Sequence, residues 1–332
     1  MDGRSQKGVA LITILLVVVI ATVLGVSMST EQNFAINRAR SFFDQGIARQ
    51  YAYGGEELAR QILHEDFVDS PGVVHLGQNW AQRPLTFEFE DGAVELIIED
   101  LQSKLNLNSL SIEGQQAAVV RQRFVDLLGQ QGVDAAYIDR VVDWIDVNES
   151  KNARGAEDYD YLGLERPYRT ASGPMADVTE LRLILEMEEE QFELIQPYVT
   201  AVPDPYTQIN VNTTTVQVLQ AIAPGLPPGD AESIVMTQTE QEGFDSIDDF
   251  VTDSRLPSGT TIKKDNLSVN STFFQVSIRA HYHERVGYLT SIIQVNPVDG
   301  TMRVVYRDQS RKVPPYVAPG DVIEEDTGAD DG

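Results

Sequence analysis

The sequence predicts an α+β fold: a long amino-terminal helix packed on an antiparallel sheet, with a large, mostly α-helical domain inserted between the strands. Three observations predict it. An apolar run continues without proline into a stretch of helical periodicity. Strand-like alternation appears twice, far apart in the chain. Everything between those two regions is patterned as helices and loops.

The first element begins "RSQKGVALITILLVVVIATVLGVSM", where Arg4 and Lys7 precede about twenty uncharged residues, Val9 to Met28. At about 1.5 Å per residue that run spans the roughly 30 Å hydrocarbon core of a bilayer. A cleaved secretory signal has a shorter apolar region, about 7–15 residues, before a small-x-small site. Here the only small pair downstream is Ser27 and Ser29. A single-span anchor fits better, its basic flank keeping the terminus cytoplasmic. From Thr30 to Asp66 no proline occurs, and Ala35, Ala39, Phe43, Ile47, Tyr51, Gly55, Leu58 and Ile62 recur on one helical face. Joined to the apolar run, this predicts one helix of about 57 residues, on the order of 85 Å long. Gly54 and Gly55 would each cost about 1 kcal/mol relative to Ala, which points to close packing against a sheet.

The sheet opens with "LTFEFE" and "AVELIIED", alternating around Asp91-Gly92, a pattern that predicts a hairpin with a type I′ turn. The strands then stop. From Leu101 to Lys264 the chain reads as helices near 112–129, 134–146, 177–186, 188–198, 213–222 and 230–241. Strand patterns return as "STFFQVSIRAHY", "GYLTSIIQV" and "MRVVYR". The closing segment, 311–332, is rich in Pro, Gly and acid and is expected to be disordered. The insert carries a weak internal repeat: "KLNLNSLS" and "QINVNTTTVQVL" each place Asn-x-Asn and a Ser or Thr where a helix cap belongs. The second copy, with "IAPGLPPGDAESIV", resembles a helix-hairpin-helix DNA-binding unit. Its hairpin, however, carries Pro227, Pro228 and Asp230, and no Lys or Arg lies between Arg182 and Arg255, so phosphate would be repelled.

Composition narrows the function. Lys and Arg number 25 against 51 Asp and Glu, a net charge of −26, which argues against nucleic acid as partner and suits divalent cations. The absence of Cys excludes disulfides, zinc-thiolate sites and thiol nucleophiles. No nucleophile elbow, P-loop or HExxH helix occurs, so an enzyme is not expected. His281 and His283 form an i,i+2 pair with no third ligand nearby, a surface pair rather than a metal site. The densest set of oxygen ligands is "DWIDVNESKNARGAEDYDYLGLERPYR", which holds Asp143, Asp146, Asn148, Glu149, Glu157, Asp158 and Asp160, with Gly155 available for a tight turn. Hard cations such as Ca²⁺ take six to eight oxygens, so the loop is either a calcium site or a solvated acidic loop. It lacks the spacing of an EF-hand.

"KG" followed at once by an apolar helix resembles the class III leader of type IV pilins and pseudopilins, which a prepilin peptidase cuts after the Gly. "WID", "GAED", "PYR" and "ELRLI", in that order, resemble the K-type minor pseudopilin of the type II secretion system, the large subunit placed at the tip. The resemblance implies a pilin-like fold divided as 1–8 leader; 9–29 transmembrane helix; 30–100 with 265–310 pilin-like α/β domain; 101–264 inserted helical domain of two SAM-like or helix-hairpin-helix-like repeats; and 311–332 tail. It implies cleavage at Gly8, with Val9 the residue that would be N-methylated, although Val stands where Phe is usual. It implies structural Ca²⁺, carried to Asp146, Asn148, Glu157, Asp158 and Asp160. Most pilin-like subunits place Glu fifth in the mature chain, where this chain has Thr13, a departure that the K-type family shares. A carboxylate near the bilayer core costs roughly 2.5–3.5 kcal/mol and needs a partner, in the family the terminal ammonium of the next subunit toward the tip. A tip subunit has no such neighbour, so Thr13 marks the tip.

The expected partners are I-type and J-type minor pseudopilins, met through helix faces bearing small residues such as Ala10, Ala21 and Gly25. The pseudopilus shaft, the prepilin peptidase, the inner membrane and secreted substrates complete the list, and nucleic acid is not expected. The implied role is to cap the pseudopilus, initiate its assembly and limit its length during protein export, with the bulk of the chain periplasmic. Alternatives are a minor pilin of a type IV pilus and a helix-hairpin-helix DNA-uptake protein.

Overall fold

The computed structural model describes residues 5–240, 243–257 and 262–310; the expected tail and the first residues of the leader lie outside them. Helix α1 (Ser5–Asp69) is unbroken over 65 residues, so the apolar run and the periodic stretch form one rod. The strands are β1 (Leu85–Phe89), β2 (Gly92–Asp100), β3 (Leu105–Asn106), β4 (Val199–Thr200), β5 (Ile209–Asn210), β6 (Leu267–Ser268), β7 (Phe273–Tyr282), β8 (Arg285–Val295) and β9 (Met302–Asp308). The further helices are α2 (Gln115–Gln130), α3 (Ala136–Ile145), α4 (Asp158–Leu162), α5 (Glu189–Ile195), α6 (Val216–Ile222), α7 (Pro228–Glu240) and α8 (Ile247–Val251).

Five strands form an antiparallel sheet in the order β1-β2-β7-β8-β9, so the sheet leaves off at β2 and resumes at β7 after the insert. The carboxyl-terminal half of α1 lies on this sheet. The buried stripe is Ala48, Ala52, Gly55, Ala59 and Leu63, one position beyond the expected one; Tyr51, Leu58 and Ile62 flank it, and Phe43 stays 67 % exposed. Small side chains let the rod approach the sheet closely, so the alanine row wins over the bulkier row beside it. Gly55 is required by that approach: a Cβ there would sit 2.8 Å from Val94 and 2.9 Å from Ile278. Gly54 was expected to pack likewise, but it faces open space.

The first hairpin also departs from expectation. Phe89 pairs with Gly92, so the turn residues are Glu90 and Asp91, and neither adopts the positive φ that a type I′ turn demands. Gly92 is needed for another reason: a Cβ would lie 2.0 Å from the His281 carbonyl oxygen of β7.

One buried charge ties the edge strand to α1. Glu56, 2 % exposed, accepts from Arg307 Nε at 2.8 Å and Nη2 at 2.7 Å, and also from the Ser291 hydroxyl. Burial alone would raise its pKa, but the Arg307 and Ser291 contacts outweigh burial and hold it below the ordinary 4.5. A depressed folded pKa means that this stabilisation is complete above about pH 4.5 and fades as pH falls through the lower folded value. Arg307→Ala is expected to cost about 3 kcal/mol in urea unfolding at pH 7, the low end for stranding a buried carboxylate, because Arg307 itself is half exposed. The loss should shrink as pH drops below 4; an undiminished loss at pH 3 would contradict this account.

The insert has its own core, running from Leu105 to Leu267 and including Phe124, Trp144, Tyr161, Phe192, Leu219 and Phe250. The internal repeat is structural. In each copy the first Asn accepts from the backbone of the second: Asn108 N to Asn106 Oδ1 at 3.2 Å, and Asn212 N to Asn210 Oδ1 at 3.0 Å. In each, the second Asn then clamps a distant backbone in both directions, Asn108 on Met175 and Asn212 on Phe244. Each motif also begins on a two-residue parallel pair, β3 with β4 and β5 with β6.

Candidate metal centre

The four motifs of the acidic region are distant in sequence and meet in space. Trp144, at the end of α3, donates from Nε1 to Glu180 at 3.3 Å, and its ring packs against Tyr161 and Tyr168. On this aromatic floor the loop from Asp146 to Glu157 folds back over α3. Asp139 and Asp143, one turn apart on α3, hold it by its backbone. Asp139 accepts from Arg154 N at 3.2 Å, and Asp143 accepts from Asn152 N at 3.2 Å. Gly155 closes the expected tight turn, donating to Asn152 O at 3.1 Å, and is needed there for space as well: a Cβ would fall 1.7 Å from Asp143 Oδ2.

This closure brings Asp143, Asp146 and Glu157 together, with one ligand oxygen from each lying within 4.8 Å of the others. Asp143 is fully buried and Glu157 is 9 % exposed. Burial first, and then the neighbouring charges of Asp143, Asp146 and Asp158, push Glu157 up to about 7. Burial likewise raises Asp143, against the pull of the Asn152 donors. Glu157 Oε1 is buried without a hydrogen-bond partner. Nearby cations are engaged elsewhere: Lys151 with Asp160, Arg169 with Asp158 and Arg154 with Asp134. Three converging carboxylates, one oxygen of them orphaned, make a donor set that suits a hard divalent cation.

Of the residues expected to bind metal, Asp146 and Glu157 are in this group. The other three side chains point to other duties. Asn148 accepts from Ser150 N at 2.8 Å. Asp158 accepts from Thr170 N at 2.9 Å and from Arg169 at 2.7 Å, contacts that hold it below the ordinary carboxylate range. Asp160 binds Lys151 and caps α4 by accepting from Glu157 N at 3.0 Å, and its pKa is lowered in the same way. Asp143 stood in the acidic run but was not among the expected ligands. Its signal was the i,i+3 spacing to Asp146, which sets Asp143 in the last turn of α3 and Asp146 at its C-cap.

At the other end of the molecule Gly8 and Val9 fall in the first turns of α1, and Thr13 lies exposed on it. Among the described residues α1 is the one helix long and apolar enough to cross a membrane, with a mean hydropathy of 2.8 in its best window and none of that window buried. In the second repeat α6 and α7 do enclose a hairpin, with Gly225 at φ +85, but α7 starts with Asp230 and Glu232 where a phosphate clamp would need cations.

A membrane-length helix continuing onto an antiparallel sheet defines a pilin-like subunit, here with a helical lobe set between two strands. Models of the family described as type II secretion system (T2SS), protein K, match residues 103–204 and 209–270, one on each copy of the repeat. The type II secretion system protein K of Pseudomonas aeruginosa is 36 % identical over 321 residues, covering 93 % of this chain and 94 % of that protein. The Klebsiella pneumoniae protein of the same name is 31 % identical over 301 residues, covering 85 % and 92 %. In the crystal structure of the GspK-GspI-GspJ complex from enterotoxigenic Escherichia coli, one chain superposes with a TM-score of 0.72 at 26 % identity, covering 83 % of this chain and all of that one. The chain belongs to the protein K family of the type II secretion system, the K-type minor pseudopilins.

Proposed function

We propose that this protein caps the pseudopilus of a type II secretion system, where it initiates assembly and limits fibre length during export across the outer membrane. Anchored in the inner membrane by α1 with its lobes in the periplasm, it is processed by a prepilin peptidase between Gly8 and Val9, and Val9 is then methylated. It joins I-type and J-type minor pseudopilins above the shaft and contacts secreted substrates from the tip. The observation that carries this reading is the superposition over the whole of a chain from a solved GspK-GspI-GspJ complex. Two features of the chain agree with it. The lobe between β2 and β7 is too bulky to repeat along a helical shaft, and Thr13 offers no carboxylate to a subunit above. The lobe is braced by Ca²⁺ held by Asp143, Asp146 and Glu157, and its role is structural, not enzymatic. In the strain that makes it, gold-labelled antibody against the lobe is expected at one end of sheared fibres, and deletion is expected to give fewer, longer fibres. Label distributed along the fibre, or fibres unchanged by deletion, would overturn the proposal.

A further inference from the structure

The chain crosses between the sheet and the inserted lobe twice, outward after Asp100 and back before Phe273. Two covalent crossings alone leave a hinge, because paired lobes move relative to each other unless their contact is extensive. Here both crossings converge on one carboxylate. Asp100 is 3 % exposed. Its Oδ2 accepts from Ser271 Oγ at 2.6 Å, Thr213 Oγ1 at 2.6 Å and Asn210 Nδ2 at 3.3 Å, and its Oδ1 accepts from Gln102 N at 2.8 Å. Ser271 lies on the return crossing, while Asn210 and Thr213 belong to the second repeat. Asn210 also donates to the Val74 carbonyl at 3.0 Å, which ties in the segment after α1. Gln102 repeats the arrangement alongside: it donates to Gln208 O at 2.8 Å and accepts from Thr272 N at 2.6 Å. An apolar cluster of Leu101, Val202, Phe273 and Ile292 closes the same junction.

We propose that Asp100 is the latch of this neck, holding the lobe in one orientation on α1 and the sheet so that head and stalk move as a single body. Its chemistry is specific. The four donors are all neutral, and Asp100 is the acceptor they share; the Asn210 amide divides its two hydrogens among Val74 O, Ser271 Oγ at 2.8 Å and Asp100. Asn in its place would set an NH2 group either against Gln102 N–H, which cannot rotate away, or in place of the oxygen that accepts from both the Ser271 and Thr213 hydroxyls. A buried donor left without an acceptor is destabilising, so the segments would part or rearrange.

The absence of Cys makes the test direct. Gln61→Cys on α1 and Gln130→Cys at the end of α2 are exposed positions, one on each side of the neck, for two spin labels. Pulsed electron resonance on the full chain in detergent is expected to give one narrow distance distribution. With Asp100→Asn added, the distribution should broaden at least twofold while the near-ultraviolet circular dichroism of each lobe persists. A parent distribution that is already broad, or an Asp100→Asn distribution as narrow as the parent, would overturn the proposal. Should Asp100→Asn fail to fold, the paired variant Thr213→Val, Ser271→Ala leaves the carboxylate in place and carries the same two readings.

Discussion

Calcium at about one hundred times its dissociation constant is expected to raise the unfolding free energy of the lobe by about 2.7 kcal/mol, and a chelator should remove the gain. The effect follows from the state of the site without metal. Three carboxylates converge, two of them pushed upward by burial, and one oxygen lacks any partner. A divalent cation removes all three penalties together. Glu157→Gln should therefore change the sign of its effect with the medium. In chelator it relieves repulsion and should unfold no more easily than the parent. At the calcium level that saturates the parent, a hundredfold loss of affinity leaves a gain of only about 0.4 kcal/mol. Asp143→Asn should behave alike, with an added loss because Asp143 also holds the loop. Asp158→Asn and Asp160→Asn should keep the calcium gain, since those side chains serve Thr170, Arg169 and Lys151. Urea titrations with and without calcium measure all five. Equal calcium gains in the parent and Glu157→Gln would dismiss the site.

Gly287→Val is expected to cost about 3 kcal/mol, near the upper end of the usual range for overpacking. A Cβ at Gly287 would lie 2.6 Å from the Ala48 carbonyl oxygen and 2.8 Å from its carbon. Both partners are backbone, one in β8 and one in α1, so no side chain can swing aside, and relief requires the rod to lift off the sheet. A substitution at an unpacked glycine supplies the control. Gly54 meets nothing within 4 Å, so Gly54→Ala should be neutral or stabilise by up to about 1 kcal/mol through helix propensity. Comparable losses at Gly54 and Gly287 would show that the rod does not dock on the sheet as described.

The errors of sequence reasoning share a cause with its successes. The rod, the two halves of the sheet and the paired Asn motifs were legible because each writes a local period or a local cap. The docking face of α1 was read one position off, since periodicity marks the larger apolar residues whereas close approach selects Ala48, Ala52 and Ala59. Gly92 and Gly155 were legible as turn glycines, and Gly155 does close one, but each also answers to an atom outside its turn, His281 O and Asp143 Oδ2. The two-residue parallel pairs β3–β4 and β5–β6 are too short to leave any period.

What the sequence by itself determined is the membrane-length rod, the interrupted sheet, the acidic helical insert and its duplicated Asn-x-Asn motif. Each of these is announced by a pattern among residues a few positions apart. Which carboxylates share a site, and which one fastens the neck, only the tertiary structure decided. Asp143 reaches Glu157, and Asp100 reaches Thr213 and Ser271, after loops have closed over long separations. The free energy of such a charge depends on its burial and on donors that no local pattern specifies.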